Sequence, residues 1–202
     1  MNVALLAITE RAEALIELAA RVCYKSLDRR SEGAPGVFIG KLIAMGHESP
    51  LEHASATFHL TGCSRAMTHQ LVRHRLMSVS QQSQRYVSEY QFDYVMPPSV
   101  RAGDTAEYRQ DMESIRDLYA KWKARGLKNE DARFVLPNAC ASELVVTANF
   151  REYRHVFKLR CASQAQWEIR EVCRAMFRCL AARAPSVFAD LLPLVEDPVK
   201  GE

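Results

Sequence analysis

The chain lacks the short motifs that commonly hold nucleotides or metal ions. Neither G-x-G-x-x-G nor G-x-x-x-x-G-K occurs in its 202 residues, so side chains rather than a glycine-rich turn must hold any dinucleotide. No C-x-x-C pair occurs, and His47, His53 and His59 are spaced by six residues instead of the four typical of a helical zinc pair. The sequence therefore predicts no metal site.

Export signals and long apolar runs are also missing. The segment 1–7 is short and apolar, has no basic lead and runs directly into Thr9-Glu10-Arg11, and no apolar run reaches the length of a membrane span. With 48% hydrophobic residues the chain can build a core without disulfides. We expect a cytoplasmic protein with no membrane partner and six reduced thiols, which are Cys23, Cys63, Cys140, Cys161, Cys173 and Cys179.

The hydrophobic pattern predicts one α+β domain over residues 1–202, with a central, mostly antiparallel sheet flanked by helices. Strand-like segments are Val3–Ile8, Ala54–Leu60 and Ser142–Ala148, and Tyr86–Val95 is predicted to be extended. Ser31–Gly36 is a predicted loop. Helical segments follow a Thr9 cap, include Phe38–Ile43 before Gly46, and continue with Ser64–Arg75, Gly103–Arg125, Ala132–Leu136, Phe150–Arg160 and Trp167–Ala184.

Residues 64–88 form a basic segment without any Asp or Glu. It carries Arg65, Arg73, Arg75 and Arg85, and arginine's planar fork binds phosphate through two parallel hydrogen bonds. Serine and glutamine side chains between these arginines are suited to phosphate oxygens and to the edge of a pyrimidine. Gln70 and Arg73 are three residues apart, so a helix would place them on one face. The alternative is a solvated basic surface.

A second basic run, residues 151–160, contains Arg151, Arg154, His155, Lys158 and Arg160 against a single Glu152. On a helix the first four lie on one side, whereas Arg160 is nine residues from Arg151 and points nearly opposite. Use of both faces implies two ligands, or sites on different subunits. The alternative is a surface helix whose arginines extend to solvent.

Three segments together resemble the flavin-dependent thymidylate synthases. Arg73-His74-Arg75, then seven intervening residues and Ser83, matches the family's R-H-R-x7-S signature, and residues 46–53 resemble its G-H-x-[ST]-P-x-E-H segment. The C-terminal half of the family is resembled by Arg133–Pro137, Asn149-Phe150-Arg151 and the stretch Leu159–Ile169. The three occur in the family's order and cover about residues 40 to 190.

The resemblance implies an enzyme that methylates dUMP to dTMP. Methylenetetrahydrofolate supplies the carbon, and FAD, reduced by NADPH, supplies the hydride. The family assembles as a homotetramer with FAD and dUMP where subunits meet. Implied FAD residues are Ser49, Arg73, His74, Arg75, Gln81, Asn149, Arg151 and His155, with His47 beside the flavin or folate. Implied dUMP residues are Gln70, Arg73, Gln81, Gln82, Ser83, Gln84, Arg85, Arg133 and Arg160.

Arg160 and Ser83 are the candidate catalytic residues. Ser83 has no histidine or lysine at a spacing that would deprotonate it, so we expect it to hydrogen-bond dUMP and not to act as a nucleophile. Cys161 is the candidate for the alternative of thiol addition, but adjacent helical residues point about 100° apart, which directs it to the core if Arg160 faces the ring. Gln81 stands where many relatives have Glu, and His155 where some have Asn; both retain hydrogen-bonding capacity.

Two other classes of function share the basic segments. A nucleic-acid-binding module would use the arginines with nearby aromatic residues such as Tyr86, Tyr90, Phe150 and Tyr153, although the modest net charge of +3 disfavours it. A metal-free nucleotide phosphohydrolase would release phosphate from dUMP. Neither class predicts a yellow protein, so bound flavin discriminates both from the enzyme.

Overall fold

A four-stranded sheet is the centre of the protein, as shown by a computed structural model that describes residues 1–29 and 35–196. All neighbouring strands are antiparallel and the order is β1-β2-β4-β3. The α+β class and the antiparallel sheet are therefore confirmed. The strands are β1 (Asn2–Ile8), β2 (Ser55–Ser64), β3 (Ser78–Gln81) and β4 (Ala141–Asn149).

Helices surround the sheet and supply most of the remaining ordered structure. The described α-helices are α1 (Ala12–Cys23), α2 (Gly36–Ala44), α3 (Arg65–Leu71), α4 (Pro98–Arg101), α5 (Thr105–Ala124), α6 (Asn129–Ala132), α7 (Phe150–Arg160), α8 (Trp167–Ala181), α9 (Pro185–Phe188) and α10 (Leu192–Glu196). Short 3-10 helices cover Leu27–Arg29, Ser49–His53, Arg133–Val135 and Ala189–Leu191. No helix in the described ranges has both the length and the apolar character to cross a membrane.

The core lies between one face of the sheet and α7 and α8. Alternate residues of β4 are buried, from Ser142 to Ala148, as expected for a strand with one covered face. Against them pack Phe157 of α7 and Phe177 of α8, whose ring centroids are 5.5 Å apart at a steep angle. This packing fixes α7, and α7 carries most of the predicted basic residues.

The sequence placed α7 correctly, but it missed β3 and wrongly predicted that residues 86–95 are extended. Ser78–Gln81 is short and polar, and it becomes a strand because β4 supplies hydrogen-bond partners in register, from Ser78 opposite Thr147 to Gln81 opposite Leu144. Residues 86–95 form turns with a single isolated bridge between Tyr94 and Cys140. Tertiary pairing overrides local β-propensity in both places.

Two helix boundaries also differ from the prediction. Thr9 does not cap α1; its hydroxyl pairs with the backbone of Ser55, and Arg11 in a left-handed conformation precedes the helix. α3 begins at the predicted place, where the Ser64 hydroxyl accepts from the Met67 N–H, but it ends at Leu71 instead of Arg75. The predicted loop Ser31–Gly36 lies outside the described residues except for Pro35 and Gly36, which begins α2.

Candidate functional site

The predicted site residues fall into two groups, which lie at opposite ends of β3 and α3. α3 has seven residues and is therefore about 10 Å long, so the two ends at which the groups lie are about that distance apart along the helix axis. The helix-side group, toward the C-terminal end of α3 and on α7, consists of Gln70, His74, Asn149, Arg151, His155 and Arg160. The loop-side group, after β3 and before β4, consists of Gln82, Ser83, Gln84, Arg85 and Arg133.

Arg160 is the best-anchored member of the helix-side group. Its Nε–H donates to Nε2 of His74 at 3.0 Å, and Nη2 donates to the carbonyl oxygen of Gln70 at 3.4 Å. The side chain is half-buried at the end of α7. A guanidinium held at two points in this way has a defined direction before any ligand arrives, which is the arrangement that stabilises developing negative charge.

His74 is the most buried member of the helix-side group. It is 7% exposed, its ring meets His155 edge-on at 5.9 Å, and its Nδ1 lies 3.8 Å from a carboxylate oxygen of Glu152. Burial, reinforced by the positive charges of Arg160 and His155, lowers the pKa of His74 to about 4. His74 is therefore neutral at physiological pH and can accept the Arg160 hydrogen bond.

An open cleft of about 650 Å³ lies beside His74, because His155 and Glu152, which contact the His74 ring, form part of its wall. Its wall contains Asn149, Arg151 and His155 from the predicted FAD set, together with Lys158 and Leu76. The Asn149 side chain accepts from the backbone N–H of Glu152 and so caps α7. The positive end of a helix dipole and several cationic side chains thus face the same space, which suits a pyrophosphate.

Acidic residues accompany these cations in the cleft. Arg151 forms an exposed ion pair with Glu52, and Lys158 lies 3.4 Å from Glu48. An anionic ligand that binds Arg151 must therefore displace Glu52 or share the arginine with it. Helical spacing and charge pattern do not predict this competition, because Glu52 is 99 residues from Arg151 in the chain.

Arg154 does not belong to the open site, although it shares a helix side with Arg151 in projection. It is 1% exposed and binds both oxygens of Asp190, the Glu48 carboxylate and the backbone carbonyl of Val187. Arg154 therefore joins α7 to the C-terminal helices and to the segment that precedes Ser49. The expectation of one continuous basic face is corrected in this respect.

The segment 46–53 forms a second, smaller pocket beside the cleft. Its volume is about 300 Å³, and His47, Ser49 and Arg151 are part of its lining. Ser49 begins a 3-10 helix, and Gly46 before it has φ 74°, a conformation that favours glycine. The structure brings Ser49 and His47 close to Arg151, as the predicted FAD set requires.

Arg73 and Arg75 lie in the turn that follows α3. Both are exposed, on either side of buried His74. Because α3 ends at Leu71, the prediction that Gln70 and Arg73 share a helical face is wrong. The turn instead points successive side chains in different directions, inward for His74 and outward for the two arginines.

The loop-side group is held mainly by local contacts, and Arg85 is its one fully exposed member. The Ser83 hydroxyl accepts from the backbone N–H of Arg85 at 3.2 Å, and Arg85 forms an ion pair with Glu130 at 3.1 Å. Arg133 donates to the backbone oxygen of Glu130. Gln84 contacts the Cys140 sulfur at 3.5 Å. Because Arg85 and Arg133 both contact Glu130, Arg133 of the 3-10 helix lies near the loop that carries Ser83, Gln84 and Arg85, and a hydroxyl, an amide and two guanidiniums form a set suited to a phosphate.

Gln81 lies at the end of β3, between the two groups along the chain, and its side chain faces the interior. Its amide nitrogen donates to the hydroxyls of Thr68 and Ser142, both at 3.0 Å. Arg65 lies beneath the loop-side group and donates to the backbone oxygen of neighbouring Gln82 at 2.9 Å. The sequence identified Arg65 only as part of a basic segment; its role in holding the loop is visible only in three dimensions.

Cys161 lies in the core, as the helix geometry predicts. It is 1% exposed, and burial raises the pKa of its thiol to about 11. Such a thiol is neutral and poorly nucleophilic at physiological pH. All six cysteines are free in the structure. No cluster of three or more His, Cys, Asp or Glu positioned to hold a metal occurs within 1–29 and 35–196.

The fold and site define a single-domain α+β protein with an open cleft whose lining includes Arg151, Lys158 and the N-terminus of α7. The sequence model of the thymidylate synthase complementing protein family matches residues 4–186. A flavin-dependent thymidylate synthase of Geobacter sulfurreducens is 44% identical over 203 aligned residues, which cover 96% of this chain and 88% of the relative. One from Pyrococcus abyssi is 40% identical, covering 91% and 80%. The chain belongs to this family.

Solved structures agree on the fold. The flavin-dependent thymidylate synthase ThyX of Helicobacter pylori, complexed with FAD and dUMP, superimposes with a TM-score of 0.77 over 94% of this chain and 99% of that one. A second structure of the same enzyme, also with FAD and dUMP, has a TM-score of 0.79. Sequence identity to both is 23%, so these comparisons establish a shared architecture.

Proposed function

We propose that the protein converts dUMP to dTMP. Methylenetetrahydrofolate donates the carbon and NADPH the reducing equivalents. FAD, when bound, supplies the hydride. The observation that carries the proposal is family membership over residues 4–186, joined to the pre-oriented Arg160 beside an open cationic cleft.

The cleft residues fit an FAD pyrophosphate. Arg151, His155 and the capped N-terminus of α7 supply positive charge, and Ser49 and Asn149 supply hydrogen-bonding groups. We assign the exposed Arg73 and Arg75, which flank His74, to the same ligand, and Gln81 to its neighbourhood. The dUMP phosphate is assigned to Ser83, Gln84, Arg85 and Arg133, and its pyrimidine to Gln70, Gln82 and Arg160.

Arg160 activates the pyrimidine by electrostatics in this proposal. C5 of uracil attacks the one-carbon unit only when negative charge on the O2 and N3 side of the ring is stabilised. The guanidinium of Arg160 donates hydrogen bonds there while its Nε stays on His74. Ser83 acts as a hydrogen-bonding residue, because its hydroxyl is already engaged by the Arg85 N–H and no base contacts it among the described residues.

The active form is proposed to be a homotetramer whose sites are shared between subunits. Support comes from the two separate groups of ligand residues and from the different partners of Arg151 and Arg160 on α7. Co-expressed Arg160→Ala and Arg85→Ala chains, each impaired alone at low dUMP concentration, should regain part of the activity, because some shared sites receive both native residues. No recovery in mixed tetramers would place each site within one chain.

Flavin colour and product formation test the proposed function directly. The purified protein should be yellow and should release tritium from [5-³H]dUMP only when FAD, methylenetetrahydrofolate and NADPH are all present, with dTMP as product. Release of inorganic phosphate from dUMP without dTMP would instead identify a phosphohydrolase. Colourless protein that binds single-stranded nucleic acid and makes no dTMP would identify a nucleic-acid-binding module.

A further inference from the structure

The orientation of Arg160 depends on a buried histidine and not on an acid. We propose that His74 and Glu152 are positioning residues that aim Arg160 at the pyrimidine of the substrate; this rests on the proposed function. The geometry behind it is the 3.0 Å hydrogen bond from Arg160 Nε to His74 Nε2 and the 3.8 Å approach of Glu152 to Nδ1 of the same ring.

The hydrogen bond determines where the His74 proton lies. An arginine can only donate, so Nε2 of His74 must be the acceptor and the ring proton must be on Nδ1. The opposite tautomer would place two N–H groups against each other. The Arg160 contact therefore exists only while His74 is neutral and protonated on Nδ1.

Glu152 favours the tautomer of His74 that carries its proton on Nδ1. Its carboxylate is 6% exposed and faces Nδ1, and a negative charge at 3.8 Å favours a proton on the nearer nitrogen. Glu152 and Arg160 are both on α7, eight residues or about 12 Å apart along the axis. The His74 ring is thus enclosed between two side chains of one rigid helix.

A neutral acceptor has a consequence for charge. A carboxylate at this position would neutralise the guanidinium, whereas His74 leaves the positive charge of Arg160 available to a ligand. In the described part of the chain no acid lies within ion-pair distance of Arg160, and the donors not directed at His74 and Gln70 are unused. The hydrogen bond to His74 thus sets the direction of Arg160 without neutralising its positive charge.

The groups facing His74 are Arg160, His155 and Glu152; Arg160 disfavours a proton on Nε2, and only Glu152 attracts the proton to Nδ1. Replacing Glu152 with Ala should let the ring adopt the Nε2–H tautomer and release Arg160. We expect kcat for dTMP formation to fall up to about 100-fold, the loss that a small misplacement of a catalytic group produces. Bound flavin and Tm should change little, and KM for dUMP less than kcat.

The conservative variant distinguishes positioning from packing. Glu152→Gln keeps an oxygen that can face the Nδ1–H, so it should retain most of the wild-type kcat. The matched control is Glu143→Gln, which removes the acid of an exposed His–Glu pair with His59 on the sheet and should leave kcat unchanged. Wild-type kcat in Glu152→Ala, or equal losses in the Ala and Gln variants that follow loss of folded protein, would contradict the proposal.

A spectroscopic measurement does not depend on turnover. In ¹⁵N-histidine-labelled wild-type protein, assigned through a His74→Gln sample, His74 should show a protonated Nδ1 and an unprotonated Nε2 at pH 7. The Nε2–H tautomer would overturn the proposal even in an active enzyme. Absence of dTMP formation by wild-type protein, in contrast, would refute the proposed function and not the tautomer assignment.

Discussion

The helix-side and loop-side groups both contain arginine and glutamine but are built differently. In the helix-side group, His74 is 7% exposed and orients Arg160 through a hydrogen bond to another side chain. In the loop-side group, Arg85 and Ser83 are held by a surface ion pair and a turn. The first group is organised by the fold of one chain. The second is held by surface contacts within the same chain.

The same contrast occurs within α7. Arg154 is enclosed by Asp190, Glu48 and a carbonyl, and it serves the fold. Arg151, three residues earlier, is exposed with one acidic partner and is free to exchange it for a ligand. Burial therefore separates the arginine that holds the structure from the one whose side chain is available to a ligand, and helical spacing alone does not.

The largest effect should come from removing the oriented guanidinium. Arg160→Ala should lower dTMP formation roughly 100- to 1,000-fold, the usual loss for one preorganised donor, while flavin remains bound. Cys161→Ala, the neighbouring control, should retain most activity because the thiol is buried and neutral. Tritium release from labelled dUMP measures both. A dead Cys161→Ala with an active Arg160→Ala would show that the enzyme works by thiol addition.

The second prediction concerns pH and stability in the helix-side group. The pKa of His74 is about 4 in the folded protein and near 6.5 in the unfolded chain, so only the unfolded chain takes up this proton as pH falls from 6.5 to 4. The free energy of unfolding therefore falls by about 3 kcal/mol between pH 6.5 and 4, because each unit of difference between the unfolded and folded pKa of His74 corresponds to about 1.36 kcal/mol.

Urea unfolding at several pH values tests this assignment. His74→Gln cannot titrate, so its stability should fall less than that of the wild type between pH 6.5 and 4. Exposed His69 provides the matched control, and His69→Gln should follow the wild-type curve. Parallel curves for wild type and His74→Gln would show that His74 titrates normally in the fold.

In the loop-side group the effect should appear in affinity. Arg85→Ala should raise KM for dUMP by about 10- to 100-fold, the loss of one charge-assisted hydrogen bond to phosphate, with little change in Tm. Glu130→Gln, which removes the partner of Arg85 in the free chain, should change KM by less than about fivefold because the pair is exposed. An Arg85→Ala variant with lower kcat and unchanged KM would remove Arg85 from the phosphate site.

The sequence predicted the fold well where local pattern and packing agree. Phe150–Arg160 was placed at its observed bounds because its apolar spacing matches its buried face. β3 was missed because Ser78–Gln81 has little strand character without β4. The candidate ligand residues came from the family's motifs. The pairing of these residues with acids did not, since Glu152 is only one charge against a basic run, and Glu52, although it lies in the segment 46–53, meets Arg151 only after folding.

The smallest expected effect concerns the competition between Glu52 and a ligand for Arg151. The ion pair is exposed on both sides, at 51% and 45%, so it contributes at most about 1 kcal/mol, or roughly fivefold in affinity. Glu52→Gln removes the competing anion and keeps the side-chain shape, so apoprotein should bind FAD up to about fivefold more tightly, measured by quenching of flavin fluorescence. The difference should shrink at high salt, which screens exposed charges. Glu113→Gln, which breaks a similar pair with Arg116 on α5 away from the cleft, should leave FAD affinity unchanged. Weaker FAD binding in Glu52→Gln would mean that Glu52 orients Arg151 for the ligand instead of competing with it, and the exposed part of the helix-side group would then be as preorganised as its buried part.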